Sequence, residues 1–259
     1  MSELVPVVGI FSALVFASLV EGALPFRRAF AAPAGRRRAN LILTIATIAL
    51  NLLLNAGVAS FLLSAANRGV GLFNNIAAPP YLETASTVIF LDLAFYISHV
   101  AMHKSPLLWR FHRIHHLDGM VDASTSFRQH PGEGLLRCVF IGGAAALIGT
   151  SPAAFAVYRV LSAANAILEH ANVTAPMPLA RAMAWITSWP HYHKIHHSAA
   201  APETDSNYGN LFTIWDRLFA THTPVERAPF VAYGLAAERQ RESAVGLLID
   251  PFRKRSCIK

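Results

Sequence analysis

Apolar residues fall in long blocks along this chain, not in short alternations. The first run, Val5 to Val20, ends at Glu21, and the second, Leu41 to Ser64, is interrupted only by uncharged polar residues such as Asn51 and Asn55. The segment Ala65 to Glu83 carries Gly69, Gly71, Pro79 and Pro80 and predicts a loop. Thr84 to Met102 then forms a third block. Runs approaching 20 apolar residues are what an α-helix needs to cross the hydrocarbon core. Leu135 to Thr150 and Pro152 to Glu169, parted by Ser151 and Pro152, predict a helical hairpin that dips in and returns. The small residues Gly142 to Ala146 in its first arm predict close helix packing, while Arg137 and Arg159 put one charge in each arm, so only partial entry is expected. Beyond Ala171 the pattern is mixed and polar, with Trp185, Trp189 and Tyr192 expected as interfacial anchors. The pattern predicts an all-α integral membrane protein with about four to five membrane-embedded helices in two hairpin-like pairs. No internal repeat or linker divides it, so residues 1–259 read as a single domain.

Composition supports the membrane reading. Apolar side chains make up 54% and charged ones 14%, with mean hydropathy +0.39, against about 25% charged in ordinary soluble domains. The net charge of +7 does not point to nucleic acid, because the basic residues cluster beside apolar blocks. Arg27, Arg28, Arg36, Arg37 and Arg38 lie between the first two runs and read as topology signals and contacts to anionic lipid. The positive-inside rule places that loop in the cytosol, and the ends of later blocks that carry His99, His103 and His170 fall on the same side. No basic stretch precedes the first run, which favours a spanning helix over a cleaved signal peptide. Cys138 and Cys257 belong to no paired cysteine motif, which excludes a disulfide framework and a Cys-based iron–sulfur or zinc site.

The chemistry lies in the histidines. Three boxes stand out among twelve: His99-x-x-x-His103, His112-x-x-His115-His116 and His193-x-x-His196-His197. On a helix, residues at i, i+3 and i+4 share an arc of roughly 100°, so each box turns its imidazoles one way and the three can converge. Eight clustered imidazoles exceed the four that one structural zinc takes and suit two first-row ions with positions left open. Carboxylates are not interleaved as in the Glu-x-x-His sites of soluble di-iron bundles.

With paired membrane hairpins, these boxes resemble the fatty acid hydroxylase/sterol desaturase superfamily of membrane di-iron enzymes. Asp205-Ser-Asn-Tyr-Gly-Asn210, Ile214-Trp-Asp-Arg-Leu-Phe219 and Thr221 are similar to the segment that follows the third box there. The resemblance runs from about residue 92 to 223. It implies a cytosolic helical cap rich in histidine that holds two iron ions, dioxygen as co-substrate, and an external electron donor such as a ferredoxin, cytochrome or reductase. It further implies His99, His103, His112, His115, His116, His193, His196 and His197 as ligands. His170, in Glu169-His-Ala-Asn172, resembles a further family histidine, and His130 resembles a position where many relatives carry one, as ligand or supporting group. Ala166 stands where some fatty-acid hydroxylases have another histidine. His191 is expected to be solvated or peripheral and His222 structural. Asp92, Glu133, Glu169, Asp205 and Asp216 are candidates to orient ligand imidazoles.

The expected function is oxidation of a lipid. A C–H bond in an alkyl chain or sterol is not acidic, so side-chain acid–base or nucleophilic chemistry cannot attack it, whereas a dioxygen-activating metal pair can. Hydroxylation or desaturation of a sterol, fatty acyl chain or ether lipid fits, and substrate placement decides between them. The first-box spacing and the segment Glu21 to Pro25 with Arg27 and Arg28 resemble the sterol and ether-lipid branches. The alternative is a transporter or sensor of metal or haem, which would line mid-membrane depth with polar ligands. No dinucleotide fingerprint or Cys cluster is present to supply electrons from within the chain.

Overall fold

The computed structural model describes residues 4–27, 35–235 and 243–253; Arg28 and Cys257 lie outside the described residues. Among the described residues every regular element is helical, and extended pairing is limited to two isolated bridges, Pro25 with Val173 and Ser198 with Tyr233. The helices are α1 (Leu4–Ala23), α2 (Arg36–Ala66), α3 (Pro80–Lys104), α4 (Pro106–His116), α5 (Pro131–Ile148), α6 (Pro152–His170), α7 (Met177–Met183), α8 (Pro190–His196), α9 (Ala201–Thr204), α10 (Ile214–Leu218) and α11 (Ala244–Ile249).

Helices α2, α3, α5 and α6 make up the bundle: α5 packs against both α2 and α3, and α3 also packs against α6, so the main contacts run between the expected hairpins and not within them. They meet around Leu62, Leu91, Phe95, Ile141, Ala145, Phe155 and Tyr158. Their outer surfaces carry exposed Leu53, Phe61, Val139, Leu147 and Val157, a face suited to lipid. Helix α1 lies against α6 through Ile10, Ala13, Leu14 and Ala17 beside Ile167 and Phe127. Among the described residues three helices, α2, α3 and α5, are long and apolar enough to cross a membrane, and the protein is a membrane protein on that basis. Helix α5 meets the criterion although partial entry was expected of it; α6, with Arg159, Asn165 and Glu169, does not.

The ends of the bundle are fixed differently. At one end Gly149 closes α5 in the left-handed region at φ 67°, Thr150 N–H returns to Ala145 O (3.1 Å), and Ser151 caps α6 through Ala154 N–H (3.3 Å). Gly71 packs so closely there that a Cβ on it would lie 2.3 Å from Gly149 Cα. At the other end Ser105 alone joins α3 to α4. Pro106, which lacks an N–H and drives Ser105 to the extended region (φ −92°, ψ 119°), breaks the helix between the first and second boxes.

The basic segment differs from expectation at one position. Arg37 and Arg38 are exposed, but Arg36 is buried and forks onto Asp118 (2.6 and 2.9 Å) with Nη1 on Asp122 (2.7 Å). Burial alone would raise Asp118, yet the Arg36 and Arg128 guanidiniums hold its carboxyl below the ordinary range. Arg128 also donates to Ile114 O (3.1 Å) and Asn40 Oδ1 (2.7 Å). This network ties the start of α2 to the end of α4, two residues past the second box.

Candidate metal centre

Nine histidines gather at the Ser105 end of the bundle, in two cages. One ring nitrogen from each of His99, His103, His112, His116 and His196 lies within 4.8 Å of the others, and His115, His170, His193 and His197 form a second group by the same measure. All nine are buried. The boxes do not each face a single centre. In the second box, His112 and His116 serve the first cage and His115 the second; in the third, His193 and His197 serve the second and His196 the first. One turn of helix returns i+4 near the azimuth of i, while i+3 falls about 60° to the other side, which suffices to reach a neighbouring cage. The rings of His116 and His197 stack across the divide, centroids 4.6 Å apart and planes 20° apart.

Backbone carbonyls and carboxylates set the tautomers. A carbonyl only accepts, so Nδ1–H donates in His99 to Tyr208 O (2.8 Å), in His196 to Ser206 O (2.8 Å) and in His170 to Ala166 O (2.6 Å). Their Nε2 lone pairs are left facing inward. Nδ1 of His103 lies 3.3 Å from Asp205 Oδ1 and that of His112 lies 3.2 Å from Glu133 Oε1. In the first cage, Nε2 of both His103 and His196 is buried without a hydrogen-bond partner. In the second, His170 Nε2 stands 2.9 Å from His115 Nε2 and 3.1 Å from both His193 and His197 Nε2. Inward lone pairs at that spacing repel unless a cation lies among them. Metal–imidazole bonds of about 2.0–2.1 Å put neighbouring donors roughly 3.0–3.4 Å apart, so the residues fit a metal ion in each cage.

Electrostatics agree. Burial, followed by neighbouring imidazoles, holds His115, His116, His193, His196 and His197 well below the usual histidine range. They are neutral at pH 7, the form that ligates.

The remaining candidates divide. His130 joins neither cage: it caps α5, its Nδ1 accepts from Gly132 N–H (2.9 Å), and its Nε2–H donates to Leu248 O (3.0 Å). His191 is buried against Phe26, ring centroids 4.7 Å apart, so the expectation of a solvated residue is corrected. His222 stacks on Tyr192 at 5.7 Å. Tyr192 is itself buried and donates to Asp216 (3.0 Å), so it is no interfacial anchor, whereas Trp185 is exposed. Glu169 Oε1 stands 3.8 Å from both His193 Nε2 and His170 Nδ1.

Asp92 and Asp216 touch no cage histidine through a hydrogen bond. Asp92 accepts from Leu211 N–H, Phe212 N–H (both 3.0 Å) and Trp215 Nε1 (2.9 Å); Asp216 accepts from Tyr208 and Gly209 N–H (both 2.8 Å) and Thr221 Oγ1 (2.6 Å). They fold the 205–221 segment over the first cage, which brings the Ser206 and Tyr208 carbonyls to their histidines. Sequence reasoning missed Lys194. Wholly buried inside the third box, it donates to His170 O (3.2 Å) and Ala171 O (3.0 Å), tying α8 to the end of α6, and burial pulls it down to about 7. Its only sequence signal is a charge within an otherwise histidine-lined turn.

A helical membrane bundle capped by two polyhistidine cages defines a narrow class of proteins. The fatty acid hydroxylase profile matches residues 84–221, and the chain belongs to that family. It is 29% identical over 156 residues to an alkylglycerol monooxygenase of Caenorhabditis elegans, covering 57% of this chain and 28% of that protein. It is 29% identical over 150 residues to the ornithine lipid hydroxylase OlsE of Rhizobium tropici, covering 56% and 44%. An alkylglycerol monooxygenase of Danio rerio matches at 29% over 148 residues, covering 56% and 31%. The match thus spans less than half the length of each of these relatives. No solved structure matches the chain.

Proposed function

We propose that this protein is a membrane oxygenase that hydroxylates or desaturates a lipid, with dioxygen and externally supplied electrons as co-substrates. The observation that carries the reading is the pair of adjoining histidine cages at one end of an apolar bundle. Their place at the bundle's end, not along its length, sets them apart from a transport path. His99, His103, His112, His116 and His196 would hold one iron, and His115, His170, His193 and His197 the other. The iron pair, when bound, supplies activation of dioxygen for attack on an unactivated C–H bond.

The chain's own residues do the rest. The Tyr208, Ser206 and Ala166 carbonyls and the Asp205 and Glu133 carboxylates keep ligand rings oriented. Burial of every ring excludes bulk water from the reacting centre. Helices α1 and α6 join α2, α3 and α5 as membrane-embedded elements, and the lipid enters sideways from the bilayer. A cytosolic position for the cages, supported by Arg37 and Arg38 beside α2, would let a ferredoxin, cytochrome or reductase dock on the basic face. Residues 1–259 act as one unit. Alkylglycerols and ornithine lipids, named for the relatives, are the first substrates to try.

The test combines metal analysis of detergent-purified protein with ¹⁸O₂ and a reductant in membranes that contain candidate lipids. Two irons per chain and labelled lipid or water are expected. Less than one iron per chain after careful reconstitution, with no label in lipid or water, overturns the reading.

A further inference from the structure

Two half-buried arginines lie between the helices of the bundle, Arg137 on α5 and Arg159 on α6. Arg137 gives Nε and Nη2 to Glu133 Oε1 (3.0 and 2.8 Å) and lays its guanidinium over the Phe95 ring at 4.3 Å. Its charge is matched. Arg159 has no hydrogen bond or ion pair with any described residue, and its Nε is closed off from solvent with no acceptor. Both line a cavity of about 60 Å³ between α2, α5 and α6. Asn51 and Asn55, one turn apart on α2, add amide donors, and among the described residues no carboxylate lines the space. A volume of that order holds one small polar group.

An unpaired guanidinium among apolar helices is unfavourable by itself, and such positions mark function. We propose that this cavity takes the oxyanion of an acidic lipid, a carboxylate or a phosphate, with Arg159 as its countercharge and the two asparagines completing the hydrogen bonds. The partner that Arg159 lacks among the described residues is then a negative charge. A carboxylate or phosphate also matches the planar fork of an arginine better than any neutral headgroup.

The site leads toward the cages. Arg159, Ala163 and Ala166 follow one face of α6 and all line the cavity, and that face continues to His170, about 16 Å along the axis from Arg159. Alanine at 163 and 166 keeps the face open. That the bound lipid is the substrate rests on the oxygenase reading above; that the cavity binds an oxyanion does not.

The experiment uses the full chain in dodecyl maltoside, with bound lipid counted by native mass spectrometry. Oleate is compared with oleyl alcohol, and dioleoylphosphatidate with dioleoylglycerol. Retention of the acid about ten- to a hundred-fold above its neutral counterpart is expected in at least one pair, the range for a charge-assisted contact. Preference within the first pair alone assigns a carboxylate, and within the second alone a phosphate. Arg159→Gln should abolish the preference and Arg159→Lys keep part of it. Equal retention of acid and neutral lipid by the unaltered protein in both pairs overturns the proposal, as does a preference that survives Arg159→Gln. Iron content of the same samples separates the two readings. Iron with no acid preference sinks the oxyanion site alone, while acid preference without iron leaves the site standing and removes the oxygenase.

Discussion

Because the cages are unequal, two single substitutions should have unequal effects on metal content. His170 Nε2 is the hub of the second cage, within 2.9–3.1 Å of the other three Nε2 atoms. His170→Ala reduces that cage from four donors to three, with Glu169 Oε1 3.8 Å from His193 Nε2. His103→Ala leaves the first cage with four, the number with which the second begins. Loss of a group that merely supports a ligand costs about 10–100-fold in metal affinity, so loss of the central ligand costs at least as much. A site filled at 100 times its Kd adds about 2.7 kcal/mol to stability. At roughly 2–4 °C per kcal/mol for a chain of this size, His170→Ala should forfeit about 5–11 °C of the iron-dependent rise in Tm. The assay is anaerobic reconstitution with ferrous iron in detergent, then elemental analysis and thermal unfolding with and without iron. Two irons are expected for the unaltered protein, close to one for His170→Ala and close to two for His103→Ala. Retention of both irons by His170→Ala, or equal losses from the two variants, would refute the division of ligands.

Glu133→Gln keeps the shape but removes the charge between His112 and Arg137; iron affinity or labelled-product yield should fall about 10–100-fold, and unchanged values would count against an orienting role. Gly71→Ala sets a Cβ 2.3 Å from Gly149 Cα at φ 98°, and should lower stability by about 1–3 kcal/mol or more in detergent unfolding, with an unshifted midpoint as the contrary result. The metal-free protein should lose stability as pH falls below about 6.5. Its buried histidines stay neutral there while unfolded ones take up protons, so the unfolded state binds more protons and gains about 1.4 kcal/mol per pH unit for each such histidine. A flat Tm between pH 8 and 5 would show that these rings protonate as freely when folded.

Much of this was readable from the chain because it is local. Leu41 to Ser64 falls inside α2, Thr84 to Met102 inside α3, and Ser151 with Pro152 marks the α5–α6 turn. Prolines 106, 131, 152 and 190 each stand at a helix start, where a missing N–H costs nothing. The boxes announced clustered imidazoles. What stayed hidden depends on partners distant in sequence. The crossing of His115 and His196 into opposite cages needs the relative placement of α4 and α8, which box spacing does not encode. Asp92 looked like an imidazole partner because it precedes the first box on the same helix, yet its hydrogen bonds run to residues 119 to 123 positions later. Arg36 looked like a surface charge until Asp118 and Asp122 folded against it.

The exchange of ligands between the second and third boxes has a thermodynamic corollary. Helices α4 and α8 each contribute to both cages, so neither cage can form without ordering the scaffold of the other. On the proposed ligand assignment, capture of one ion by His112, His116 and His196 would immobilise the backbone that carries His115, His193 and His197, three of the four donors of the second cage. The ordering entropy is lost once, and the second ion binds to a site already assembled. Loading should therefore be positively cooperative and reciprocal, with half-filled protein scarce at intermediate iron.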